Sequence, residues 1–131
     1  TLISSIVSKN MIKQKNGKII NISSIFGLVS KEKRSSYSSS KFGILGLTKS
    51  SALDLASYNI LVNSISPGFI DTKLTRKILK LSGMKKMSKV VPIKRLGKVK
   101  EIAYLSMFLA SSYNTYITGQ NIVIDGGFTS K

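Results

Sequence analysis

The chain has 131 residues, 42% of them hydrophobic, and carries 21 Lys and Arg against 5 Asp and Glu, a formal net charge of +16. That length holds one domain at most, with enough residues for a core. It contains no Cys and no His, which excludes disulfides, thiolate or imidazole metal sites, cysteine nucleophiles and a serine–histidine triad.

In chain order, residues 1 to about 15 read as the end of a helix. Leu2, Ile3, Ile6, Val7 and Met11 recur at spacings near three and four, and Asn16-Gly17 supplies a stop. The opening residues lack the basic leader of a signal peptide, and position 1 is not Met, which hints at a fragment. Lys18-Ile19-Ile20-Asn21-Ile22 is a short β-branched run, expected to be a strand. Ser23, Ser24 and Gly27 follow it, then the charged loop Lys31-Glu32-Lys33-Arg34. Ser35 or Ser36 can cap the next helix, which is expected to run to about residue 57. That helix is apolar around much of its circumference, so one side is expected to cover a sheet and another to meet a further helix, of this chain or of a second subunit. Gly43 and Gly46 offer points of close approach. Asn59 ends it, and Ile60-Leu61-Val62-Asn63-Ser64-Ile65 is a second strand.

Pro67-Gly68 breaks that strand. A long basic segment follows, with a helix expected over 72–81 and a break at Gly83. Eleven of the basic residues lie between Lys73 and Lys100, with no acid until Glu101. Charge of this kind suits anionic partners such as nucleic acid, acidic lipid or a phosphate-bearing substrate. The plainer reading is a Lys-rich solvated face, and no nucleic-acid motif or aromatic platform accompanies the charge, so no nucleic-acid role is expected. A helix is expected over 98–110 and a third strand at Asn121-Ile122-Val123-Ile124. Asp125-Gly126-Gly127 reads as a structural turn that packs the tail. No apolar run approaches the roughly 20 residues of a bilayer span. No membrane partner is expected, and the expected location is cytoplasmic.

Helices alternating with short strands imply parallel strands joined by crossovers, hence an α/β fold with a doubly wound sheet. In such sheets ligands bind beyond the carboxyl ends of the strands. Ser24 lies just past the first strand, Pro67-Gly68 at the same end of the second, and Tyr37 at the start of the intervening helix. Tyr37 and Lys41 are four apart on one helical face, and Ser24 precedes Tyr37 by thirteen residues. A phenol can give a proton to a carbonyl oxygen, a nearby ammonium favours the phenolate, and a serine hydroxyl can hold the same oxygen. Each also has a plain alternative: a half-buried phenol, a solvated amine, and a hydroxyl that merely ends a strand, with Ser23 as rival to Ser24. Pro67-Gly68 could be an ordinary strand stop, and Thr72 a helix cap.

The chain resembles the carboxyl-terminal half of a short-chain dehydrogenase/reductase, of the 3-oxoacyl-(acyl-carrier-protein) reductase type. The likeness rests on Asn21-Ile22-Ser23-Ser24, Tyr37-Ser38-Ser39-Ser40-Lys41, Pro67-Gly68-Phe69-Ile70-Asp71-Thr72, Arg95-Leu96-Gly97, Thr118-Gly119-Gln120 and Asp125-Gly126-Gly127, and runs nearly end to end. It implies a Rossmann-like sheet and a cofactor of NADP or NAD, with NADP favoured. Tyr37 would be general acid, Ser24 would hydrogen-bond the carbonyl oxygen, and Lys41 would support Tyr37 and hold the nicotinamide ribose. Pro67, Gly68, Ile70 and Thr72 would seat the nicotinamide. Implied partners are a small or carrier-bound carbonyl substrate, with acyl carrier protein as the candidate carrier, and three further copies in a homotetramer. The resemblance leaves open a sugar or simple-alcohol substrate, or a truncated, non-catalytic interaction module.

Three departures accompany the matches. No glycine-rich phosphate loop is present, and the family's catalytic asparagine would fall before Thr1. Lys98-Val99-Lys100 puts positive charge at a helix start, where acids are favoured. A chain lacking the first half would leave its first strand unpaired on one side, an edge that invites aggregation. Residues 1–131 alone are therefore expected neither to fold stably nor to bind a dinucleotide.

Overall fold

The computed structural model describes residues 2–130, with side chains described from residue 6 onward, so the apolar positions expected at Leu2 and Ile3 lie outside the described side chains. Helix α1 (Leu2–Gln14) leads into β1 (Gly17–Ile22), a 3-10 turn (Ile25–Gly27) and α2 (Ser35–Leu55). There follow β2 (Ile60–Pro67), β3 (Ile70–Asp71), α3 (Lys73–Val90), β4 (Gly97–Lys98), α4 (Val99–Ala110) and β5 (Asn121–Ile124). Strands β1, β2 and β5 form one parallel sheet in that spatial order, and β3 and β4 form a separate two-residue parallel pair. This is the α/β architecture expected from the alternation of helices and strands.

The pleat sends alternate side chains of β2 to opposite faces. On one face Ile60 and Val62 are fully buried with Ala52, and Ile19, Leu55, Met11 and Ile12 pack around them. Each fully buried aliphatic side chain there contributes about 1.5–3 kcal/mol. Further along this face the sheet is polar: Asn21 donates to Thr48 Oγ1 at 2.9 Å, and Asn121 Oδ1 accepts from Ser64 at 2.9 Å and Ser66 at 2.7 Å. On the opposite face Lys18 donates from its ammonium to the Asn114 carbonyl. Asn63 donates to Ile117 O at 2.7 Å and accepts from Gln120 N at 3.0 Å, which fastens the loop after α4 across the sheet.

Several boundaries differ from expectation for local reasons. The stop after α1 is Lys15, in the left-handed region at φ 48°, with paired bonds Asn16 N to Met11 O and Lys15 N to Ile12 O. The N-cap of α2 is Arg34, without a side-chain capping bond, rather than Ser35 or Ser36. Helix α3 breaks at Lys80 (φ 53°, ψ 179°), three residues before Gly83, and resumes through Gly83 to Val90. A Cβ added at Gly43 or Gly46 would meet no atom within 4 Å, so neither makes a close approach within this chain. The second apolar side of α2 is uncovered here, with Leu53 82% exposed and Phe42 47%. At α4, Glu101 offsets the basic start: it accepts from Lys98 N at 2.6 Å and from both Arg95 guanidinium nitrogens. Strand β1 has no partner on its outer side among the described residues.

Candidate active site

The end of β1 is locked to α2 through two adjacent serines with different tasks. Ser23 donates from its hydroxyl to the Lys41 carbonyl at 2.9 Å, while its amide bonds Ile65 O at 2.8 Å. Ser24 caps the 3-10 turn, its Oγ accepting from Phe26 N at 3.2 Å. That bond uses an acceptor site and leaves the Ser24 O–H free to donate. Gly27 permits this packing, because a Cβ there would lie 2.8 Å from Ser23 Oγ and 2.9 Å from Lys41 O.

Tyr37 stands in the first turn of α2, 41% exposed, and Lys41 one turn later. The Lys41 ammonium lies 5.7 Å from the centroid of the Tyr37 ring and donates to Ile22 O at 3.1 Å, the residue before Ser23. An ammonium has three donors, and Ile22 O takes one of them. The Phe26 ring meets Tyr37 edge to face at 6.2 Å and Phe69 at 6.5 Å, and Phe69 meets Phe128 at 5.1 Å. This row of rings carries the Tyr37 helix across to the loop of Pro67 and Gly68. Gly68 is pinned there by its amide bond to Ile124 O at 3.0 Å, and a Cβ on it would lie 2.7 Å from Asp125 Cα.

Asp125 fixes the far end of the row. Burial opposes its ionisation, but bonds from the Thr129 hydroxyl and the Thr129, Gly127 and Phe128 amides outweigh this and hold the carboxyl below its usual range. The structural task expected of Asp125-Gly126-Gly127 is thereby met.

Tyr37, Lys41 and Ser24 thus stand at the carboxyl end of β1, and the rings of Phe26 and Phe69 link Tyr37 to the segment of Pro67 and Gly68. Thr72 and Ile70 are otherwise engaged. Thr72 Oγ1 caps α3 by accepting from Thr75 N at 3.0 Å. Ile70 packs on Gly97 and lines a cavity of about 350 Å³ with Val91, Ile93 and Ile102, a cavity that Tyr37, Lys41 and Ser24 do not line. The sequence reading passed over Phe26, Phe69 and Arg34. Phe26 follows Ser24 by two residues, and that spacing is the signal that could have drawn attention to it.

Residues 1–129 match the family model described as Enoyl-(Acyl carrier protein) reductase. The chain belongs to the short-chain dehydrogenase/reductase family. It is 42% identical to the 3-oxoacyl-(acyl-carrier-protein) reductase of Thermotoga maritima over 125 residues, 95% of this chain and 50% of that protein. It is 44% identical over 119 residues to the trans-4-hydroxycyclohexanecarboxylate dehydrogenase of Sinomonas cyclohexanicum, 91% of this chain and 44% of that one. Among solved structures, ElxO with NADP bound superposes with a TM-score of 0.88 at 36% identity, covering 94% of this chain and 50% of that one. A gluconate 5-dehydrogenase from Burkholderia cenocepacia, in complex with NADP and tartrate, does so at 0.92 and 32%, covering 98% and 51%. The chain spans about half the length of the curated relatives it matches, and the structures it superposes on bind NADP. No described helix is long and apolar enough to cross a membrane.

Proposed function

We propose that these residues form the catalytic half of a nicotinamide-dependent ketoreductase, with the dinucleotide-phosphate half lying outside them. The observation that carries this is the Lys41 ammonium, set between the Tyr37 ring and the Ile22 carbonyl. One contact ties the phenol-bearing helix to the strand end that presents Ser24. The donors on Lys41 not taken by Ile22 fit a ribose diol, and the family likeness favours NADP. When bound, the nicotinamide supplies the hydride that reaches the carbonyl carbon. Tyr37 gives its phenolic proton to the carbonyl oxygen, and the ammonium of Lys41 steadies the phenolate that remains. Ser24 donates to the same oxygen, where negative charge develops. Pro67 and Gly68 wall the rim on the β2 side, held by Phe69. Thr72 and Ile70 complete the cofactor side through the loop they anchor, since their side chains are occupied with capping and packing.

For substrate, the first candidate is a 3-oxoacyl thioester on acyl carrier protein, supported by the name of the Thermotoga relative and by the basic segment 73–100, whose charge suits an anionic partner. The second is a smaller ketone that carries its own anion, supported by the carboxylate named in the Sinomonas relative and the tartrate in the gluconate dehydrogenase complex. The uncovered apolar side of α2 supports a full-length homotetramer. Replacing Tyr37 by Phe in the full-length chain is expected to lower ketone reduction by about 10²–10⁴-fold while NADPH affinity, read by nicotinamide fluorescence, changes little. Undiminished turnover in that variant would end the reductase reading.

A further inference from the structure

Loop 28–34, between the 3-10 turn and α2, carries charges that the reaction scheme does not use. The Arg34 guanidinium carbon lies 6.0 Å from the centre of the Phe26 ring and 5.9 Å from that of Tyr37. The Lys31 ammonium lies 6.0 Å from the same Phe26 ring. Two cations thus share one aromatic platform, a contact that is weak for each exposed pair and serves mainly to orient it. The loop is tethered as well: the hydroxyls of Ser30 and buried Ser38 are 2.7 Å apart, and Ser38 N donates to Arg34 O at 2.7 Å. Ion pairs among the described residues are Arg76–Asp71 and Arg95–Glu101, so neither Lys31 nor Arg34 is neutralised by a carboxylate, even with Glu32 between them. An anion bound between two cations on one platform would offset their mutual repulsion.

We propose that Arg34, with Lys31, is the specificity arm of the site, holding a carboxylate or phosphate borne by the ketone itself while its carbonyl meets Tyr37 and Ser24. Arg34 is the principal contact, because a guanidinium fork matches either anion with two parallel hydrogen bonds. Its position beside the Tyr37 ring places that anion within a few bonds of the reacting carbonyl. A small keto acid or keto phosphate fits this spacing; the thioester end of a carrier-bound acyl chain offers Arg34 a carbonyl oxygen but no charge, so the assignment selects the second of the two substrate candidates. This assignment rests on the reductase reading of Tyr37.

The test uses the full-length chain with NADPH and two matched ketone pairs: acetoacetate against its methyl ester, and dihydroxyacetone phosphate against dihydroxyacetone. Wild type is expected to favour the anion of at least one pair in kcat/KM, and the preferred pair distinguishes carboxylate from phosphate. Arg34→Ala is expected to lower that anion-to-neutral ratio about 10- to 100-fold, mostly through KM, as loss of a charge-assisted bond requires. Arg34→Lys should restore part of the ratio, and Phe26→Leu should reduce it by unseating both cations. Added salt should depress turnover of the anion more than of its neutral partner. A wild-type ratio at or below one for both pairs, or equal losses on anion and neutral in Arg34→Ala, would overturn the assignment. Tyr37→Phe separates the two claims. If it abolishes reduction while the ratio ignores Arg34, the specificity arm alone falls; if it does not, the reductase reading falls with it.

Discussion

Adding one methyl group at Gly27 probes the joint on which the site depends. Its Cβ would lie 2.8 Å from Ser23 Oγ, 2.9 Å from Lys41 O and 3.0 Å from Lys41 C, while ordinary contact begins at 3.4 Å. Two of the three atoms are backbone of α2, so no side-chain rotation relieves the clash. Either α2 backs away from the end of β1 by roughly half an ångström, or the 3-10 turn yields. Overpacking of this kind costs about 1–3 kcal/mol, and release of the Ser23–Lys41 bond adds about 1 kcal/mol. With m near 1–3 kcal/mol/M, the urea midpoint of Gly27→Ala in the full-length protein should fall by about 1 M at unchanged m. The same retreat draws the Lys41 ammonium off Ile22 O and carries Tyr37, on the same helix, away from the end of β1. A displacement short of 1 Å at a positioning group should then lower kcat by roughly 3- to 30-fold. Gly43→Ala is the control, since its Cβ meets nothing within 4 Å. A Gly27→Ala protein matching wild type in urea midpoint and kcat would show that the turn and α2 are not in the contact described.

The two serines should separate in kind. Ser24→Ala is expected to lower kcat by about 10²–10³-fold, as for loss of one donor to a developing oxyanion, with about 1 kcal/mol of stability lost from the turn it caps. Ser23→Ala should also cost about 1 kcal/mol of stability, the worth of its bond to the Lys41 carbonyl, but with a far smaller fall in kcat; denaturant titration beside kinetics reads both. Glu101 provides a pH test. Hydrogen bonds from Arg95 and from Lys98 N lower its pKa from 4.5 to about 2. A depressed carboxylate stabilises the fold above its unfolded pKa and loses that contribution as pH falls through the folded value. The melting-temperature gap between wild type and Glu101→Gln should therefore be constant above about pH 5 and shrink as pH falls from 4.5 toward 2. A gap that widens in acid would contradict this.

Strands β1, β2 and β5, the helices between them and the Tyr37–Lys41 spacing were legible in order along the chain. Each depends on local periodicity: β-branched runs extend, and residues four apart share a helical face. Asn59 was legible as the end of the helical run, and it stands there in the left-handed region that Asn tolerates. What one dimension could not show were features made by distant segments meeting. The β3–β4 pair joins residues 70–71 to 97–98, and no two-residue strand has a pattern to read. Gly27 looked like any loop glycine until α2 was laid against it, whereas Gly43 and Gly46 looked like contact points and touch nothing in the chain.

The choice between Ser23 and Ser24 shows the division most directly. The sequence by itself determined that a hydroxyl would stand where β1 ends, because both neighbours are serines. Only the tertiary structure decided which of them is free to donate, by bringing the Lys41 carbonyl within 2.9 Å of Ser23 and leaving the Ser24 proton uncommitted. The aromatic row from Tyr37 through Phe26 and Phe69 to Phe128 belongs to the same category. Its members come from four separate segments, and they meet because parallel strands bring their carboxyl ends to one rim.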